Sequence, residues 1–132
     1  MFDPKTRILI VDDAMTMRFF IKKLLNGLGY NDISEAKNGA EAWKAITSES
    51  TPFGLVISDW NMPGSTGMDL LNKLRSDEKY GKTPFLMVTA ESDRDQVVAA
   101  IKAGADSYLV KPVTAPALSE KIKTVFQKKA AA

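Results

Sequence analysis

Residues 55–67 read LVISDWNMPGSTG. The run Leu55-Val56-Ile57-Ser58 is continuously apolar rather than alternating, which marks a strand buried on both faces, as in a parallel sheet covered by helices. It stops abruptly on an acid, Asp59, followed by Trp60. An acid just past the end of such a strand sits where the backbone leaves the sheet and meets water. It is either a plain strand terminator or a carboxylate held at the rim of a crevice.

Outward from this run the same grammar repeats. RILIV (7–11), DISEA (32–36), FLMVT (85–89) and SYLV (107–110) join LVIS (55–58) as strand candidates. Between and after them lie segments of helical period. Met17, Phe20, Ile21, Leu24 and Leu28 share one face, and Ala42, Trp43 and Ile46 another. Met68, Leu71 and Leu74, then Val97, Ala100 and Ile101, and finally Leu118, Ile122 and Val125 complete the set. Ser92-x-x-Asp95 and Thr114 suit helix N-termini, with Pro116 tolerated in a first turn. Gly29 and Gly104 fall where a helix ends in a left-handed residue. The loosest connection is SESTPFG (48–54). Five strand–helix units in strict alternation predict an α/β fold, a doubly wound five-stranded parallel sheet with five helices.

Composition limits the chemistry. The 132 residues suffice for one domain with a sizeable core. No apolar stretch approaches the roughly 18 residues that span a membrane, and MFDPKTR lacks the apolar stretch of a signal peptide. A cytoplasmic protein without membrane insertion is expected. There is no cysteine and no histidine, which excludes disulfides, thiolate nucleophiles, the usual zinc sites and a serine–histidine dyad. A net charge of +2, with scattered lysines, gives no footprint for nucleic acid. Lys128 and Lys129 suit the negative end of a last helix.

In a doubly wound sheet, sites gather beyond the carboxyl ends of the strands, where strand order reverses. After ILIV come Asp12 and Asp13, after LVIS comes Asp59, FLMV is followed by Thr89, and YLV by Lys111-Pro112. Two carboxylates about 5 Å apart repel by about 3 kcal/mol at an effective dielectric near 20. Three acids and one lysine leave two negative charges, which a hard dication such as Mg²⁺ balances while offering an open position to a phosphoryl oxygen. Asp59 then has the character of a nucleophile that forms an aspartyl phosphate. Lys111 and Thr89 are placed to engage the phosphoryl group. Pro112 suits a tight turn aiming Lys111 inward, through either peptide isomer.

These motifs (DD, D, T-A and K-P after the first, third, fourth and fifth strands) together resemble the receiver domain of two-component response regulators. The runs SDWNMPG, MVTAE (87–91) and Ala103-Gly104-Ala105 before SYLVKP resemble the stand-alone chemotaxis regulators within that family. The resemblance spans essentially the whole chain. It implies a single receiver domain over 1–132 without an output domain, and a flavodoxin-like sheet of order 2-1-3-4-5. That order comes from the family, not from the residues.

Carried over, the resemblance implies that Asp59 accepts a phosphoryl group from a histidine on a sensor kinase. Asp12, Asp13, Asp59 and the backbone carbonyl of Asn61 would hold one Mg²⁺. Lys111 and Thr89 would bind the phosphoryl group, Thr89 and Tyr108 would act as the switch, and Asn61 and Glu91 would tune self-dephosphorylation. Such a protein is a signalling phosphoprotein rather than an enzyme acting on other substrates. The implied target face combines the fourth helix, fifth strand and fifth helix, and the implied partner there is the flagellar motor switch protein. A phosphatase is a further partner the family admits, and a monomer is expected. The alternative role is a phosphorelay intermediate, phosphate sink or kinase modulator. Val113 after Lys-Pro, Ala14 after the acid pair and the longer 48–54 loop depart from the family pattern without touching the phosphorylation chemistry.

Each signal alone has a plainer reading. Asp12-Asp13 can be a helix cap, Asp59 a turn residue, Thr89 a strand residue, Lys111-Pro112 a solvated turn and Tyr108 a half-buried aromatic. The joint pattern is what carries weight, because four strand ends supply the right residue type in order. A flavodoxin-type module would need a Ser/Thr/Gly-rich phosphate cradle where Asp12 and Asp13 stand. A haloacid-dehalogenase-type phosphatase would need a second acid where Asn61 stands. A transcription factor needs a DNA-binding domain, and about 20 residues after Lys111 provide one helix.

Overall fold

The five apolar runs become β1 (Ile8–Val11), β2 (Ile33–Ala36), β3 (Leu55–Asp59), β4 (Phe85–Thr89) and β5 (Ser107–Val110). The periodic segments become α1 (Met15–Gly27), α2 (Gly39–Ser48), α3 (Gly67–Arg75), α4 (Arg94–Ala103) and α5 (Ala115–Ala131). This is a computed structural model, and it describes residues 2–48, 51–62, 64–90 and 94–131. The strands form one parallel sheet in the order β2-β1-β3-β4-β5. The chain steps outward from β1 to β2, then crosses back over β1 to β3. The carboxyl ends of β1 and β3 therefore flank the point where strand order reverses.

Every residue of β1, β3 and β4 is buried, whereas the edge strands β2 and β5 are partly exposed. Alternation along each strand divides the core in two. Leu9, Val11, Val56, Phe85 and Met87 face one layer, together with Ala42, Ile46, Leu71, Leu74 and Ala100 of α2, α3 and α4. Ile8, Ile10, Ile57, Leu86 and Val88 face the other, together with Ile21, Leu25, Leu118, Ile122 and Val125 of α1 and α5. Full burial of one such leucine or isoleucine contributes about 1.5–3 kcal/mol.

Two helical faces differ from their expected composition. In α1 the side facing the sheet centres on Ile21 and Leu25, one turn apart, which leaves Phe20 on the shoulder, 44% exposed. In α4 only Ala100 is fully buried, and Ile101 is 41% exposed. The β3 boundary also shifts, since Asp59 is the last residue of the strand rather than a residue beyond it. Thr114 caps α5 by accepting the Ala117 N–H at 3.3 Å. Gly29 (φ 100°) and Gly104 (φ 108°) hold the left-handed positions expected after α1 and α4. Ser92 and residues 49–50 of the loose connection lie outside the described residues. Among those described, no helix is long and apolar enough to cross a membrane.

Candidate functional site

Strand register builds the site. Val11 pairs with Ser58, so the next residues, Asp12 and Asp59, emerge side by side at the carboxyl edge. Asp59 in turn pairs with Val88, and Thr89 with Val110, which brings Thr89 and Lys111 to the same edge. Carboxylate oxygens of Asp12, Asp13 and Asp59 all lie within 4.8 Å of one another. Asp12 and Asp59 are buried (2% and 5% exposed), whereas Asp13 is open to solvent. Lys111 Nζ lies 3.2 Å from Asp59 Oδ1 and 4.0 Å from Asp12 Oδ2. The Lys111–Pro112 peptide is cis.

Burial pushes the carboxyl groups of Asp12 and Asp59 above the ordinary aspartate value. For Asp59, Lys111 opposes that rise by charge and hydrogen bonding, and the Asn61 N–H opposes it by bonding the carboxylate. For Asp12, the Ala14 N–H opposes it from 2.9 Å, and the neighbouring Asp59 adds to it. Asp12 is not the helix cap: the N-cap of α1 is Ala14, which no side chain caps. The Asp12 Oδ1 instead accepts the Ala14 N–H in the turn that leads into α1, and its Oδ2 faces Lys111. Asp59 Oδ1 is fully buried with no hydrogen bond of normal geometry, its contact being the ion pair to Lys111. A buried carboxylate oxygen in that state carries a desolvation cost that a bound cation or phosphoryl group relieves.

Thr89 is fully buried, and its carbonyl accepts the Lys111 N–H at 2.8 Å. Tyr108 is half-buried on β5, with the Lys121 ammonium 4.6 Å from its ring centre. The Asn61 side chain is exposed beside Asp59. Glu91 lies outside the described residues. Trp60 is half-buried and anchored by its N–H to the Val88 carbonyl at 2.8 Å.

Two contributors escaped the reading by strand ends. A Cβ on Gly67 would stand 2.3 Å from the Asp59 carbonyl, so only glycine lets α3 begin this close to the acid. The sequence signal was a glycine opening a helical pattern. Arg18 donates to the Asp12 carbonyl at 2.6 Å. Its only signal was a cation in the first turns after the acid pair.

The donor set can be tested against a metal. Three carboxylates converge, one with an orphaned buried oxygen, and no nitrogen or sulfur ligand joins them among the described residues. An all-oxygen set fits a hard, partly hydrated dication such as Mg²⁺.

A flavodoxin-like sheet with this acid–lysine edge defines a class. Residues 8–123 match the response regulator receiver domain family, and the chain belongs to it. Within that family it is 48% identical over 122 residues to the chemotaxis protein CheY of Pseudomonas aeruginosa, covering 92% of this chain and 97% of the other. It is 43% identical to CheY1 of Helicobacter pylori, covering 91% and 96%. Among solved structures, CheY4 of Vibrio cholerae superimposes with a TM-score of 0.82 at 30% identity, covering 92% and 98%. A receiver domain from Clostridium thermocellum gives 0.83 at 33%, covering 96% and 99%.

Proposed function

We propose that this chain is a cytoplasmic chemotaxis response regulator acting as a single receiver domain, phosphorylated on Asp59 by a sensor histidine kinase and signalling by protein contact. The observation that carries the reading is the buried, orphaned Asp59 Oδ1, held 3.2 Å from Lys111 and within 4.8 Å of two further acids. Mg²⁺ bound by Asp12, Asp13, Asp59 and the Asn61 carbonyl would supply charge neutralisation for an incoming phosphoryl group. Asp59 attacks the phosphorus of a phosphohistidine. A P–O bond forms as the P–N bond breaks, and the imidazole leaves with a proton from solvent. Lys111 lowers the charge on Asp59 that would repel the donor and then pairs with a phosphoryl oxygen. The Thr89 hydroxyl would donate to the same group.

Exposed apolar side chains on α4 support the proposed output face. Val98 (40%) and Ile101 (41%) of α4 are open to solvent, and half-buried Tyr108 lies beneath Lys121 of α5. Movement of Thr89 toward a phosphoryl group would free space for Tyr108 and bias this face between two states. The flagellar motor switch protein is the proposed target.

The test uses Trp60 as reporter in a Trp43→Phe background, which removes the second tryptophan, packed edge-on against Tyr80. Mg²⁺ and then acetyl phosphate are added while fluorescence and intact mass are followed. One labile phosphoryl group that requires Mg²⁺ and is absent in Asp59→Asn is expected. A phosphoryl group retained in Asp59→Asn would overturn the assignment.

A further inference from the structure

We infer that Arg18 is a positioning residue for the Mg²⁺ site, acting through the backbone of Asp12; the inference rests on the metal reading above. Arg18 sits in the first turns of α1, held there by its N–H to the Ala14 carbonyl at 3.1 Å. Its guanidinium is largely buried, with 14% of the side chain exposed. Nη1 donates to the Asp12 carbonyl at 2.6 Å, and Nε donates to Glu35 Oε1 at 3.1 Å on the neighbouring strand β2. Lys22 reaches the other oxygen of Glu35 at 3.8 Å.

The backbone of Asp12 is thereby held at both its N–H and its C=O. Its N–H donates to the Ala36 carbonyl at 3.1 Å, continuing the β1–β2 pairing one residue beyond the strands. Its C=O is the group Arg18 holds, and that C=O belongs to the peptide linking Asp12 to Asp13. Asp13 is exposed, and among the described residues no hydrogen bond or ion pair fixes its carboxylate, so its direction follows that of this peptide. A planar guanidinium spans two acceptors at fixed angles, which an ammonium does not reproduce. Arg18 thus aims one metal ligand by gripping the backbone of another.

Charge and geometry predict opposite signs, which makes the inference testable. Arg18 is a cation beside the acid cluster. Acting by charge alone it would repel Mg²⁺, so Arg18→Gln would tighten binding. Acting as a positioning residue, its loss should weaken Mg²⁺ binding by about tenfold, the effect expected when a ligand loses its support. The dissociation constant is read from Trp60 fluorescence in the unphosphorylated protein, with the metal-free melt checked by circular dichroism. Arg18→Lys keeps the charge and most of the stem, and serves if Arg18→Gln fails to fold. It should still lose most of the tenfold. Parental or tighter affinity in Arg18→Gln, or parental affinity in Arg18→Lys, would overturn the inference. A parent chain with no Mg²⁺ response at all would overturn the metal reading, and this inference with it.

Discussion

The two edges of the sheet place buried charge in opposite ways. At the carboxyl edge, Asp12 and Asp59 share Lys111 with Asp13 close by, and a buried oxygen of Asp59 has only that ion pair for a partner. At the amino edge, a single buried acid, Asp106, has more partners than charge. Arg75 lies 3.2 Å from its Oδ2, Lys129 and Lys128 lie 3.3 and 3.9 Å from its Oδ1, and the Phe85 N–H donates to it at 2.9 Å. Arg75 also donates to the carbonyls of Gly81, Thr83 and Gly104. Burial lowers the Arg75 pKa, and Asp106 counters that. The amino edge is satisfied and holds β4, β5 and their loops together. The carboxyl edge is left short of positive charge, as the proposed binding of a cation and a phosphoryl group requires, at some cost in stability.

The largest expected effect breaks the satisfied edge. Asp106→Ala leaves Arg75 buried without its carboxylate and the Phe85 N–H without an acceptor. It should destabilise the fold by about 3 kcal/mol, read as a lower urea midpoint, while the Mg²⁺ response of the folded protein persists. An unchanged midpoint would remove the contrast between the edges.

The opposite sign is expected at the carboxyl edge. Asp12→Asn keeps the oxygen that accepts the Ala14 N–H and removes a buried charge, so the metal-free protein should gain about 1–2 kcal/mol, or roughly 3–8 °C. The pH dependence follows from linkage. Asp12 and Asp59 have folded pKa values above the ordinary 3.8. The stability linked to their protonation is full below that value and is lost as pH rises through the raised folded values. The advantage of Asp12→Asn should therefore be greatest near neutrality and shrink as the pH falls toward 3.8, where the parent carboxyl is itself neutral. Excess Mg²⁺ should reverse the order, because the parent gains about 2.7 kcal/mol at a hundredfold excess over its dissociation constant. An advantage that grew in acid would contradict the proposed origin.

The smallest effect is expected from Asp13→Asn. Asp13 is exposed, so relief of repulsion should raise the metal-free melting temperature by less than about 2 °C. The same change should remove most of the stabilisation given by Mg²⁺, which separates the proposed role of Asp13 as a ligand from its small share in the stored repulsion. A lower metal-free melting temperature would sharpen the comparison differently, by showing that Asp13 contributes to the fold.

Much of this was legible along the chain. Continuous apolar runs named the strands, because a strand buried on both faces has no polar side to show. What stood after each run named the edge residues Asp12, Asp13, Asp59, Thr89 and Lys111, because parallel strands carry their carboxyl ends to one side. Phe20 and Ile101 were misplaced because helical period gives a face about 100° wide but not the direction in which the helix settles on the sheet. Neither Arg18 nor Asp106 could be recognised from spacing. Arg18 on α1 meets Glu35 on β2 across 17 positions of sequence, and Asp106 meets Arg75 across 31.

The sequence by itself therefore determined the elements, their alternation and the residue types at the carboxyl edge, since each follows from local period and chain direction. Only the tertiary structure decided which acids are buried, which oxygen rests on a lone ion pair and which cation grips the Asp12 backbone. Those properties depend on how helices and crossovers come to rest against the sheet, and no local pattern encodes that.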